Sequence, residues 1–392
     1  MKQFYILVSI VLCIAFACKK EPSSEHSNTF IKTYQTDSSA TSLHIFQMPD
    51  GGFIIVSIEG TGLAGVPLMT RIDKYGNFKW NKTVSMYYQF NFSAITQVAD
   101  GSFIGQQLNN MIKFDTLGNI KTSFSVPRQV NINCQPMTHL GSKIIVPACD
   151  TYSDTNNVNE IYVYDENLMP VNKDSFYNSR INKKIIGLGV KNIDTDGTYN
   201  IWGSVYPINN LSGFNNPKLF AAKIPKTGKA TTTIVDPTVH NFGDLEVMQT
   251  NAIDSEGILL GTRYSATISF PIVIKFDKIL NIAWENSFAV NTASIMPNYI
   301  NSCKDGGFII AGSIQTTGTT YSQPYALKID ANGKKVWSKT ITSPSLQGNG
   351  IFYSVIELSD GSLAFVGGSS QYGKGRAGNQ ILFVKTDANG NL

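Results

Sequence analysis

The chain has 392 residues, room for two ordinary domains or for one large closed β-fold. Only 15% of its residues are charged, below the roughly 25% usual in a soluble domain, while Gly (33), Tyr (17) and Phe (22) are plentiful, a composition of strands and turns. The formal net charge is +4 without a long Lys/Arg run, so the basic footprint of a nucleic-acid binder is missing.

The first segment, "MKQFYILVSIVLCIAFAC", carries one positive charge at Lys2 and then a largely apolar run from Phe4 to Ala17. That run is too short to span a bilayer and has the build of a secretory h-region. It ends on Ala15, Phe16 and Ala17 before Cys18, which resembles a bacterial lipobox. The resemblance implies a lipoprotein signal peptide over residues 1–17, cleavage before Cys18 and diacylglycerol on the Cys18 sulfur. The alternative is a plain signal peptide cut near Ala17. The polar "KKEPSSEHSN" that follows makes residues 18–28 a tether, and its Lys-Lys-Glu start resembles the export tag of lipoproteins displayed on some Gram-negative cells. The expected location is therefore the outer membrane, lipid-anchored, on its periplasmic or its outer side. Cys134 and Cys149 flank a turn at Leu140 to Ser142 at nearly equal distances, so a hairpin would set them opposite each other. A disulfide between them and three buried free thiols, Cys303 included, are both compatible with that spacing.

From Thr29 onward the chain repeats. A Gly turn, usually Asp-Gly, precedes a short apolar run at Asp50, Asp100, Gly141, Asp196, Glu256, Asp305 and Asp360. Between successive members falls a second turn, seen as "RIDKYGN", "KFDTLGN", "VYDENLM", "KIPKTGK", "KFDKILN", "KIDANGK" and "KTDANGN". Both are hairpin signals, because Gly and Asp accept the positive φ of tight turns. Each unit thus predicts four antiparallel strands, and residues 29–392 are expected to form an all-β, seven-bladed β-propeller of four-stranded blades. A ring has to close. Three units end on "KWNKTV", "AWENSF" and "VWSKTI", the last unit stops short of that strand, and the mature N-terminus offers "TFIKTY". Aligned, Phe30 takes the Trp position, Lys32 the Lys position and Tyr34 the last apolar one. The N-terminal strand is expected to complete the last blade.

The phrase "ALKIDANGKKVWSK" resembles the repeats of the quinoprotein-like propellers, in which an Asp, a Gly-Lys and a Trp recur in each blade. The resemblance implies architecture. A quinone-dependent member would add adjacent cysteines and a calcium site, which this sequence does not display, and no cofactor is expected. "GTGLAG" at Gly60 to Gly65 has the spacing of a dinucleotide loop but runs into Val66, Pro67 and a strand rather than a helix. The recurring Asp73, Asp115, Asp277, Asp330 and Asp387 are read as turn residues whose carboxylates bond backbone N–H groups two residues on. The histidines, His26, His44, His139 and His240, lack metal-ligand spacing. His44 is placed on an innermost strand as a hydrogen-bonded structural residue.

In an antiparallel meander alternate connections emerge at opposite ends, so the two families of short turns share one face and the variable loops share the other. Those loops are rich in Tyr, Asn, Ser and Gly, which combine rigid aromatic area with adaptable hydrogen bonding. The residues expected to bind a ligand there are Tyr87, Tyr88, Tyr152, Tyr206, Phe214, Tyr321, Tyr372 and Arg376. The expected function is a recognition module for a glycan or protein partner, acting as a monomer that meets the membrane only through its anchor. The alternatives are an envelope assembly scaffold and a polysaccharide lyase or hydrolase, the last requiring a convergent catalytic cluster that sequence spacing does not reveal.

Overall fold

A computed structural model of the chain describes residues 29–37, 39–60, 65–84, 94–107, 110–126, 137–149, 158–177, 183–193, 199–207, 218–224, 231–235, 244–253, 256–265, 267–277, 281–342, 349–370 and 380–392. Among these residues every regular element is a strand, and the strands form seven four-stranded antiparallel sheets. Sheet one holds Ala40–Gln47, Phe53–Glu59, Val66–Ile72 and Phe78–Thr83; sheet two holds Ala94–Gln97, Phe103–Gln107, Asn110–Phe114 and Ile120–Ser125. Sheet three holds Thr138–Leu140, Lys143–Cys149, Val158–Asp165 and Pro170–Tyr177; sheet four holds Lys183–Ile193, Tyr199–Pro207, Lys218–Ile224 and Thr231–Val235. Sheet five holds Asp244–Ile253, Glu256–Tyr264, Ser269–Phe276 and Ile282–Ser287; sheet six holds Ala293–Ser302, Phe308–Thr316, Gln323–Ile329 and Lys335–Thr340. Sheet seven takes Gly350–Glu357, Leu363–Ser369 and Gln380–Thr386, and its fourth strand is Phe30–Tyr34.

Each sheet packs on the next, and sheet seven packs on sheet one, so the ring is closed. The middle strands explain why. Leu363–Ser369 and Gln380–Thr386 are buried at every position, as expected of strands covered on both faces. The outer strand Phe78–Thr83 is exposed at nearly every position. Fully buried Phe53, Phe103, Phe308, Phe352, Phe365 and Phe383 fill the wedges between sheets, each contributing about 1.5–3 kcal/mol by leaving water.

The joint between consecutive sheets has a repeating chemistry. Among the described residues the second turn reaches positive φ at Gly76, Gly118, Gly333 and Gly390, and at Leu168 in sheet three. The outer strand of the preceding sheet lies on that glycine. A Cβ on Gly76 would come 2.5 Å from the Phe30 ring, one on Gly333 2.7 Å from Trp284, and one on Gly390 2.9 Å from Trp337. Glycine is required there twice over, for its φ and for the ring seated on it. Two residues beyond the aromatic, a lysine crosses to the asparagine of the same turn. Lys32 Nζ donates to Asn77 Oδ1 at 3.0 Å, Lys82 Nζ to Asn119 Oδ1 at 2.7 Å, and Lys339 Nζ to Asn391 Oδ1.

Phe30–Tyr34 therefore fills the place of the Trp-bearing outer strands position by position. Phe30 pairs with Lys385 as Trp337 pairs with Lys328 and Trp80 with Arg71. Its ring lies 5.4 Å from that of Phe383, and the Tyr34 hydroxyl donates to the Gly76 carbonyl at 2.8 Å. Replacing Phe30 with Ala should cost about 2–3 kcal/mol, short of the ~3–5 of a fully buried Phe because its ring is half-buried. An exposed outer-strand control such as Lys79→Ala should stay within ~0.5 kcal/mol. Thermal unfolding of the two variants checks this, and equal melting temperatures would refute the assigned role of the N-terminal strand.

Candidate functional site

The two ends of the ring differ in build. At one end, called the turn face, the connections are short and internally bonded. In six of the second turns an aspartate organises its own loop: Asp73 Oδ1 accepts the N–H of Tyr75 at 2.9 Å and of Asn77 at 2.8 Å. Asp115, Asp165, Asp330 and Asp387 repeat this geometry, and Asp277 Oδ1 accepts the N–H of Asn281. In the first turn Asp50, Asp100, Asp305 and Asp360 accept the N–H two residues on, and each also pairs with a largely buried base of the third strand, Arg71, Lys113, Lys328 or Lys385. These aspartates are structural.

Their acidity follows. The Gly52 N–H, with Arg71 beside it, holds Asp50 below the usual carboxylate range. The Ser102 hydroxyl and N–H, then Lys113, hold Asp100 well below it. Burial alone would raise Asp73 and Asp115, but the N–H groups and amides of Asn77 and Asn119 outweigh it and the net direction is down.

The opposite end carries the longer connections, 84–93, 126–137, 150–157, 208–217, 341–349 and 370–379 among them. Of the expected ligand-binding residues, Tyr321 stands on this face and is 44% exposed. Its connection is braced by Gln315 Nε2 and the Thr319 hydroxyl, and Asn349 Oδ1 accepts the neighbouring Ser322 N–H at 2.7 Å. Tyr206 lies at the same end, paired through its backbone with Lys184. Tyr87, Tyr88, Tyr152, Phe214, Tyr372 and Arg376 lie outside the described residues, as do Cys18 and Cys134; Cys149 pairs through its backbone with Asn159. The Cys303 thiol is free and buried at the turn face, and burial pushes its pKa up to about 11.

The innermost strands line the channel, and several carry a bulge, at Leu43, Asn298 and Tyr353 among others. A bulge re-aims one side chain, and Asn298 Nδ2 uses this to reach the Phe352 carbonyl of sheet seven at 2.8 Å. His44 follows the first bulge. It is partly buried and makes no hydrogen bond among the described residues, contrary to the bonded role expected, and loss of hydration lowers its pKa to about 4. Among the described residues the bonded histidine is His139. Its Nε2 lies 2.9 Å from Glu166 Oε1, its Nδ1 lies 3.4 Å from the Thr96 hydroxyl, and Glu166 Oε2 accepts the Ala99 N–H, tying sheets two and three. Among the described residues no three His, Cys, Asp or Glu side chains converge to hold a metal ion.

One cleft escaped the sequence reading. A groove of about 420 Å³ runs between sheets five and six, lined by Asn286, Phe288, Val290, Tyr325, Lys335 and Ser338 among others. It forms at the joint where the strand residue is the short Asn286 and the turn residue is Lys334, the reverse of the Lys–Asn pairs elsewhere. That exchange was the available signal.

No protein-family model matches the chain, and no curated protein does. Solved structures are similar in fold. The AfRom2 CNH domain is 8% identical, with 91% of this chain and 99% of that one covered and a TM-score of 0.50. The β-propeller domain of the Trilobed protease from Pyrococcus furiosus is 13% identical over 77% of this chain and 81% of its own, with a TM-score of 0.45. A quinonprotein alcohol dehydrogenase-like protein from Bacteroides thetaiotaomicron is 14% identical over 76% and 66%, with a TM-score of 0.42. At such identities the likeness concerns architecture alone.

Acid should destabilise the ring in two windows. The folded pKa of His44 lies below its ordinary 6.5, so below that pH the unfolded chain takes up a proton that the folded chain refuses. Stability present above pH 6.5 should fall as pH drops towards 4. The depressed aspartates add a second loss, beginning below their ordinary 3.8 and continuing through their folded values. Melting curves from pH 7.5 to 3 check this: His44→Gln should flatten the upper window and leave the lower one intact.

Proposed function

We propose that this protein is an outer-membrane lipoprotein, acylated at Cys18, whose propeller acts as a recognition module for a glycan or protein partner at the long-connection face. The observation that carries the reading is the asymmetry of the two ends. One end spends its polar groups on bonding its own turns. The other places its longer loops on strands that neighbouring sheets hold on both sides. Binding surfaces are built in this way, with variable loops on a rigid frame, and closed propellers present many such loops on one face. The fold by itself names no ligand.

The anchor and the face are tested separately. Cells fed an alkyne fatty acid should yield a labelled protein, and Cys18→Ala should abolish the label; label retained by that variant would refute the anchor. Glycans and proteins crosslinked to the anchored chain in intact cells are then compared between Tyr206→Ala/Tyr321→Ala and a turn-face control, Lys74→Ala/Asn332→Ala. Loss of a binding aromatic pair should lower recovery of the principal partner about tenfold, the ~1.4 kcal/mol expected of one hot-spot contact. Equal recovery from both double variants would refute the face assignment.

A further inference from the structure

The direction of the closing strand fixes where the tether enters the ring. Phe30 lies opposite Lys385, next to the Asp387 turn, and Tyr34 lies opposite Ile381, next to the 370–379 connection. The chain therefore comes in at the turn face. It meets the ring beside sheet one, where Phe30 and Lys32 sit on the Gly76 turn.

That same edge is apolar. Of the ten large hydrophobic side chains that stand exposed among the described residues, seven lie at the turn-face end: Phe78, Leu117, Ile120, Met169 and Val171 on the adjoining sheets one to three, with Val336 and Leu392 on sheets six and seven. Leu117 and Met169, 56% and 62% exposed, are in the turns or directly beside them, and the other three on sheets one to three are the first or second residues of the outer strands. Exposed apolar residues gathered on one edge of a folded domain mark a contact surface rather than scatter. Lysines are interleaved with them, Lys79 after Phe78, Lys121 after Ile120 and Lys173 after Val171. Lys79 and Lys121 make only surface pairs, with Asp73 at 3.4 Å and Asp100 at 3.7 Å. Such pairs are weak and exchangeable, and long lysine stems let their ammonium groups rise to a headgroup layer while apolar neighbours sink.

We propose that the turn-face edge of sheets one to three rests on the bilayer that holds the lipid anchor, so that the long-connection face points away from it. The orientation depends on the anchoring put forward above. The Ser- and Pro-containing sequence of residues 18–28 permits it: a linker of that length has a root-mean-square span of roughly 20 Å, less than a domain's width, so the edge nearest its attachment is the one held against the surface.

The test uses the full lipidated protein in vesicles of phosphatidylethanolamine and phosphatidylglycerol carrying a photoactivatable acyl chain, with adducts mapped by peptide mass spectrometry. Adducts should concentrate on peptides containing Phe78, Leu117 to Lys121 and Met169 to Lys173, at least fivefold above those containing Tyr321. Leu117→Ser/Met169→Ser, two exposed positions, should lower that yield at least fivefold without shifting the melting temperature. Adducts on the Tyr321 side, on both faces equally, or on neither, with Cys18 found acylated, would overturn the orientation and leave the anchor standing. A Cys18 peptide without acyl chains would remove the anchor and the orientation together.

Discussion

The seating of an outer-strand aromatic on the turn glycine of the next sheet is the contact that recurs at three described joints of the ring, its closure included. Sheets in a propeller pack face to face with no hydrogen bonds between their ladders, so side chains alone must set their spacing and tilt. Trp284 on Gly333 and Trp337 on Gly390 do this at van der Waals range, and Phe30 on Gly76 does it at closure. Where a lysine stands two residues later, as Lys32, Lys82 and Lys339 do, it then fixes the rotation, because an ammonium held by one asparagine oxygen tolerates little sliding. At sheet seven the joint gains a third member. The Tyr34 hydroxyl, whose ionisation burial and then the charge of Asp73 push above its ordinary range, donates to Gly76.

Closure changes the energetics of repetition. In an open array each unit answers only to its neighbours, and the end units fray. Here the fourth strand of sheet seven comes from the other end of the chain, so no sheet is an end unit and the last joint must form across almost the whole sequence. That pairing has the highest loop-closure cost of any in the molecule. Its compensation lies in the cluster that joins sheets seven and one, where Phe53, Ile55 and Leu68 meet Val366, Ile381 and Phe383 around Tyr34.

The architecture was legible because its determinants are local. A turn that demands positive φ writes Gly at one position and Asp three before it, and an outer strand that covers a glycine writes Trp or Phe at a fixed place; "TFIKTY" could be aligned for that reason. Sheet three shows where such reading thins. Its first turn closes on Gly141 and Ser142 with Leu140 opposite Lys143, and Val163 stands where other sheets carry the base that pairs with a turn Asp. Acid and base vanish together, a correlation visible only once register is known. The strand position of His44 can be read from the repeat, but its lack of a partner among the described residues cannot, because the neighbours of an innermost strand come from other sheets. The ligand surface was least legible of all. Tyr321 is exposed where expected, but whether an aromatic in a loop packs inward or stands out is set by tertiary neighbours and leaves no periodic trace.

Two features that look alike in sequence separate once the faces are assigned. Exposed aliphatic residues at strand starts read as ordinary outer-strand positions, and Val336 in sheet six is one. Phe78, Ile120 and Val171 occupy comparable places but join the exposed turn residues Leu117 and Met169 on adjoining sheets, at the edge where the chain enters. Turn tips are where polar residues cost least, so an apolar tip has to be accounted for by something outside the fold. The opposite end needs no such account, since Tyr321 there has a hydroxyl for water and a braced backbone beneath it. The division of labour between the faces thus follows from strand direction: the short turns that make the ring rigid share their end with the chain's point of entry, and the loops free to vary are left at the other.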